Sequence, residues 1–225
     1  MRIRTLTVAG AVAVAALLAG CSTGDDDELP PMPFDTVEMP AMTAPTATPG
    51  QQLATGEIVA LPQTDYTGEP DDVIETTVIG VAQGDAAYWE QFDNGEQFAD
   101  ETPFFAVMQY RWVTGDVSAS GAPLLRPLLD DGTEGDIVEQ EFAGSLTSDA
   151  PCPFEIGRFD MEEDREPNEY IACVLYTAPE GSTLAGLQWH NLGPLAFSEP
   201  DPAVNPFYTA PVVWEVTPLV PNVEG

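Results

Sequence analysis

Residues 104–113 alternate with a period of two, and this constrains the fold more than any other stretch of the chain. Phe104, Ala106, Met108, Tyr110 and Trp112 fall on one side and are wholly apolar. Phe105, Val107, Gln109, Arg111 and Val113 fall on the other side, which turns polar toward the end. Alternation of this kind specifies a strand with at least one buried face. Shorter runs repeat the pattern between Gly, Pro and Asp turns: Glu57–Leu61, Val73–Ala82 and Val212–Val216. In the second of these, Val73, Thr77, Ile79 and Val81 sit at strand period. Leu124–Leu129 and Ile137–Phe142 flank an Asp-Gly turn and predict a hairpin. Tyr170–Thr177 and Gly186–Leu192 flank a second turn at Pro179–Ser182, while Ala86–Asp100 reads as a loop or a short helix. Seven to nine short strands without a long helix, and without an internal repeat, predict an all-β antiparallel sandwich over residues 56–217.

The segment before this pattern has a different character. Residues 21–55 carry the charge run Asp25–Glu28 and recurrent prolines (Pro30, Pro31, Pro33, Pro40, Pro45 and Pro49), and sustain no period. Such a composition buries too little apolar surface to offset the entropy of ordering, so a disordered tether is expected. Stretched fully, residues 22–55 would reach about 110 Å, against roughly 30 Å for a flexible coil. Residues 218–225 are expected to be a loose tail.

Residues 1–20 read as an export signal. Arg2 and Arg4 precede the apolar run Val8–Leu18, which is too short to span a bilayer, and the run ends in Leu18-Ala19-Gly20-Cys21. That ending resembles the lipobox of bacterial lipoprotein signal peptides, in which the cysteine is lipidated through sulfur and becomes the mature N-terminus. The resemblance implies a cell-membrane protein, lipid-anchored at Cys21 on the extracytoplasmic face. An ordinary secretory signal carrying a cysteine is the alternative. Loss of the signal would leave four basic residues against 38 acidic ones, with no lysine anywhere. So acidic a surface argues against nucleic acid and anionic lipid as partners. It also serves the plain purpose of keeping an exposed protein soluble. Of the three cysteines, Cys152 and Cys173 remain. In an exported protein they are expected to pair, closing a loop of about 22 residues worth roughly 3 kcal/mol on the loop-entropy model. Two free thiols are the alternative, without the C-x-x-C spacing of a redox pair.

A further resemblance rests on four features. These are the Asp131-Gly132 turn after the central strand, the cysteine pair, the Pro179–Gly181 turn and the terminal Pro211–Val216 run. Together they resemble, over about residues 52–217, the Ig-like domains of small secreted bacterial lipoproteins. That domain of unknown function is related in fold to the mycobacterial immunoprotective extracellular antigen. The chain departs from the pattern where Val113-Thr114-Gly115 replaces an Asn-x-Gly turn. The resemblance implies an Ig-like sandwich and supplies no catalytic residues.

Chemistry-bearing motifs are sparse. The single histidine, His190, has neither a G-x-S-x-G elbow nor an H-x-x-x-H partner, so it is expected to pack beside Trp189 or at the sheet surface. The lack of lysine removes Schiff-base and P-loop chemistry. With 38 acidic residues, no carboxylate pair stands out for glycoside hydrolysis. The run Asp130–Glu141 can be aligned to a calcium loop, with Asp130, Glu134, Asp136 and Glu141 as ligands and Gly135 at the sharp turn. Gly132 stands where another ligand is wanted, and the flanks read as strands, so a plain hairpin turn competes with a weak calcium site. A second acidic group, Asp160–Glu166, lies inside the expected disulfide loop. The pairs Tyr88-Trp89 and Phe207-Tyr208 could line a sugar or peptide groove but fit core packing better. These readings predict a monomeric, non-catalytic interaction module of the cell envelope, whose partner would be a protein or a glycan. A structural envelope component without a discrete ligand is the alternative, and no cofactor is expected beyond weak calcium.

Overall fold

The computed structural model describes residue 34 and residues 37–64, 70–92, 95–114, 122–138, 168–192, 203 and 205–220. The signal segment, Cys21, Cys152, Glu141 and the acidic run 160–166 lie outside the described residues. Nine strands are formed: β1 (Gln52–Ala54), β2 (Val59–Thr64), β3 (Pro70–Gln83), β4 (Glu101–Thr114), β5 (Arg126–Leu129), β6 (Asp136–Ile137), β7 (Glu169–Pro179), β8 (Leu184–Trp189) and β9 (Val212–Glu215). They make an all-β, Ig-like sandwich of two sheets, ordered β2-β3-β4-β7-β6 and β1-β9-β8-β5. One pair departs from the expected antiparallel pattern, since β1 runs parallel to β9.

The alternation in β4 explains the layering. Phe104, Ala106, Met108, Tyr110 and Trp112 face the second sheet and meet Leu129, Leu184, Leu187, Trp189, Val212 and Trp214. Full burial of a Leu or Phe stabilises a fold by roughly 1.5–3 kcal/mol, so this layer carries the domain. Its polar atoms are answered: the Trp214 indole donates to the Glu57 carbonyl at 3.0 Å and the Tyr176 hydroxyl to the Leu125 carbonyl at 3.0 Å. Phe105 and Val107 point the opposite way, with Ile171, Cys173 and Leu175 of β7, and form a second apolar layer. The ambiguous Ala86–Asp100 segment covers it as two 3-10 helices, Ala86–Gln91 and Gly95–Phe98, whose Trp89 is buried and stacks on Phe98 at 4.7 Å.

Several sequence expectations change. In β3 the pairing shifts between Val78 and Gly80, which oppose Met108 and Val107, so Ile79 is an extra residue. The bulge breaks parity: Ile79 joins the outer layer and Val81 the inner core, although both were expected on one face. The Asp-Gly turn forms as expected, but no sheet hairpin follows it. Gly132 N–H donates to the Leu129 carbonyl at 3.0 Å, Leu129 N–H to the Thr133 carbonyl at 2.8 Å, and Gly132 takes φ +84°. This is a tight turn closed by a left-handed glycine. Past it, β5 pairs with β8 while β6 pairs with β7, so the two arms enter opposite sheets.

The expected tether boundary at residue 55 also moves. Met39, Ala44, Ala47 and Leu53 are buried, Thr46 bridges Ala60, and β1 joins the second sheet. Main-chain pairing holds this stretch, which composition does not report. In the expected tail, Leu219 exchanges hydrogen bonds with Val81 and Gln83 of β3, both at 2.8 Å, while residues 221–225 lie outside the described residues.

Candidate functional site

The outer side of the four-stranded sheet brings together the chain's most varied group of polar side chains. Register places Arg126 of β5 opposite Gln188 of β8, and an isolated bridge sets Glu134 beside Leu128. Glu134 consequently reaches both. Its Oε2 accepts from Arg126 Nη1 at 3.0 Å and its Oε1 from Gln188 Nε2 at 2.9 Å. His190, two residues beyond Gln188, brings Nε2 to 3.6 Å from Glu134 Oε1.

The imidazole is fixed from behind. Its Nδ1 lies 3.1 Å from the Tyr208 carbonyl oxygen, which can only accept, so Nδ1 carries a proton. In the neutral ring Nε2 is then the acceptor, and among the described residues it has no hydrogen-bond partner. Asn205 holds the turn beyond β8, its Nδ2 donating to the carbonyls of His190 and Asn191, each at 2.9 Å, and Asn191 takes φ 51°. The His190 side chain is mostly buried, whereas Arg126 and Glu134 are 39% and 40% exposed. The cluster therefore presents a guanidinium and a carboxylate to solvent, backed by an amide and an imidazole lone pair. It can hydrogen-bond a polar ligand in both senses.

The residues expected to hold calcium are drawn to other partners. Asp130 accepts from Thr183 N–H at 3.4 Å, Glu134 is engaged by Arg126 and Gln188, and Asp136 begins β6. Asp131, which the calcium reading passes over, accepts from Thr133 N–H at 2.9 Å and its hydroxyl at 2.6 Å, and these bonds lower its carboxyl pKa. Among the described residues no group of three or more His, Cys, Asp or Glu side chains is placed to hold a metal ion. Glu141 lies outside them.

Two concavities add shape. A cleft of 870 Å³ is lined by Ala54, Val81, Leu128, Val213 and Glu215, with Phe34 and Gly80 at one side. A smaller one of 440 Å³ lies between the 3-10 helices, lined by Trp89, Glu90, Phe92 and Glu96. The aromatic pairs considered for a groove are packing residues: Tyr88 meets Phe105 edge-on at 5.0 Å, and Phe207 lies 4.8 Å from Trp189. Burial raises the phenol pKa of Tyr88, and that of Tyr110 and Tyr176 between the sheets.

Sequence reading missed Arg126 and Gln188 and gave Glu134 another role. The available signal was a polar residue inside an otherwise apolar strand, as Gln188 is in β8. No protein-family model, curated protein or solved structure matches the chain.

Proposed function

We propose that this protein is a lipid-anchored lipoprotein of the extracytoplasmic membrane face, whose Ig-like sandwich is a non-catalytic binding module of the cell envelope. The run Leu18-Ala19-Gly20-Cys21 after a basic start and a short apolar stretch carries the anchor. Two acyl chains on Cys21 would hold it stably, where one would be marginal. This reading groups the chain with small secreted lipoproteins of Ig-like fold, and the two-sheet architecture supports it. The contact surface is the Arg126–Glu134–Gln188–His190 cluster, where half-exposed charge sits on a rigid sheet. Its ligand is a protein or glycan able to exchange hydrogen bonds with both a cation and a carboxylate.

Export also implies a Cys152–Cys173 bridge. Cys173 is wholly buried in the outer apolar layer, so a bridge there would tie the following loop to β7. Metabolic labelling with palmitate tests the anchor. Label should enter the wild-type chain and be absent from Cys21→Ala, with the unlabelled variant released from the membrane. An unlabelled wild-type chain would end the anchor reading.

A further inference from the structure

The polar end of β4 has a definite occupant. Gln109 pairs with the main chain of Val37 in both directions, accepting from its N–H at 3.0 Å and donating to its carbonyl at 2.9 Å. Arg111 Nη2 donates to the Pro40 carbonyl at 2.7 Å, and Glu75 of β3 accepts from Ala44 N–H at 2.5 Å. Further along, Phe34 lies on Gly80 so closely that a Cβ there would come within 2.2 Å of the ring. Three strand side chains thus read main-chain atoms of one extended segment, as peptide-binding sheets read a ligand strand. The segment's own side chains turn largely outward; Met42 is 81% exposed.

We propose that the outer face of the five-stranded sheet is a docking surface for the chain's own residues 37–44, and that docking sets how far the domain stands from its anchor. The segment carries Pro40 and precedes Pro45, so its extended form loses little entropy on docking. Its release leaves no charge stranded, because Arg111 keeps its ion pair with Glu75 and lies 3.6 Å from Glu169. A segment held by a few main-chain bonds opens well before the domain does. Docked, residues 22–33 alone separate Cys21 from Phe34, a span of at most about 40 Å; undocked through residue 44, the span rises to about 80 Å. The distance rests on the lipid anchor proposed above, whereas the docking does not.

The test uses the mature chain made soluble by Cys21→Ser, compared with the same chain carrying Val37→Pro and Ala44→Pro. These changes remove the two N–H donors and leave Gln109, Arg111 and Glu75 in place. Hydrogen exchange should show residues 37–44 protected, with exchange rising about tenfold or more in the double variant while β4 stays protected. Exchange at the free-chain rate in the parent, or protection unchanged in the double variant, would overturn docking. Neutron reflectometry of the lipidated chain on a supported bilayer should then show the domain moving outward in the double variant. Lost protection without a change in height would overturn the control of distance alone, and an unlabelled Cys21 would be a failure of the anchor reading instead.

Discussion

The two outer faces of the sandwich are built oppositely. The face of the five-stranded sheet is apolar over Phe105, Val107, Ile171 and Leu175, and it is roofed by the 3-10 helices and crossed by residues 37–44. The face of the four-stranded sheet carries Gln52, Gln188, Arg126 and Glu215 at outward positions, and Glu134 and His190 complete its polar cluster. An apolar outer face must find cover within its own chain, because its exposure would cost about 25 cal/mol per Å². A polar outer face can stay open to a partner. Its half-exposed ion pair contributes little to stability, so it can be altered at small cost to the fold.

That contrast can be broken most sharply at Trp89. Its ring is buried against Phe98 and its Nε1 donates to the Glu101 carbonyl at 2.8 Å, so Trp89→Ala should lower stability by about 3–5 kcal/mol in chemical denaturation. A loss below about 1 kcal/mol would mean that the roof does not close the apolar face. Alkaline titration probes the interior next. Burial raises the folded-state pKa of Tyr88, Tyr110 and Tyr176, so the unfolded chain loses those protons first. Their contribution should be complete below about pH 10 and fall as pH climbs toward the folded values, read from melting temperature against pH. At Gly80, substitution by Ala should expel the Phe34 ring at a cost of about 1 kcal/mol, detected as faster exchange around residue 34.

On the open face the effects should be smaller. Glu134→Ala should change stability by less than about 1 kcal/mol, and a loss of several would make the cluster a structural brace. The smallest effect is local. Asp131 is held below the ordinary carboxylate range by Thr133, so NMR should place its midpoint under about 3.9, and Thr133→Val should raise it. Any stability from this group is present above the unfolded pKa and lost as pH falls through the folded one.

The sequence was most legible where one strand met two layers. The alternation of residues 104–113 told the inner face of β4 from the outer one, and marked Gln109 and Arg111 as exceptions. It did not say what those exceptions hold, because their partners lie some seventy residues away and offer main-chain atoms rather than a side-chain pattern. Residues 37–55 looked unfoldable for the same reason. In β3 the bulge at Ile79 reverses parity, and a periodic reading has no means of detecting an inserted residue. The cluster around Glu134 was hidden more deeply. It joins β5, the turn after it and β8, and β5 and β8 meet through a pairing that the Asp-Gly turn pointed away from.

The central claim is that the open face binds and the covered face does not. The most direct test places a photo-cross-linking residue at Thr133, beside the cluster, or at Met42, on the docked segment, in the lipidated chain in intact cells. The account predicts one discrete adduct from Thr133, abolished by Arg126→Ala with Glu134→Ala, and none from Met42. An adduct from Met42 alone, or a Thr133 adduct indifferent to the double substitution, would contradict it.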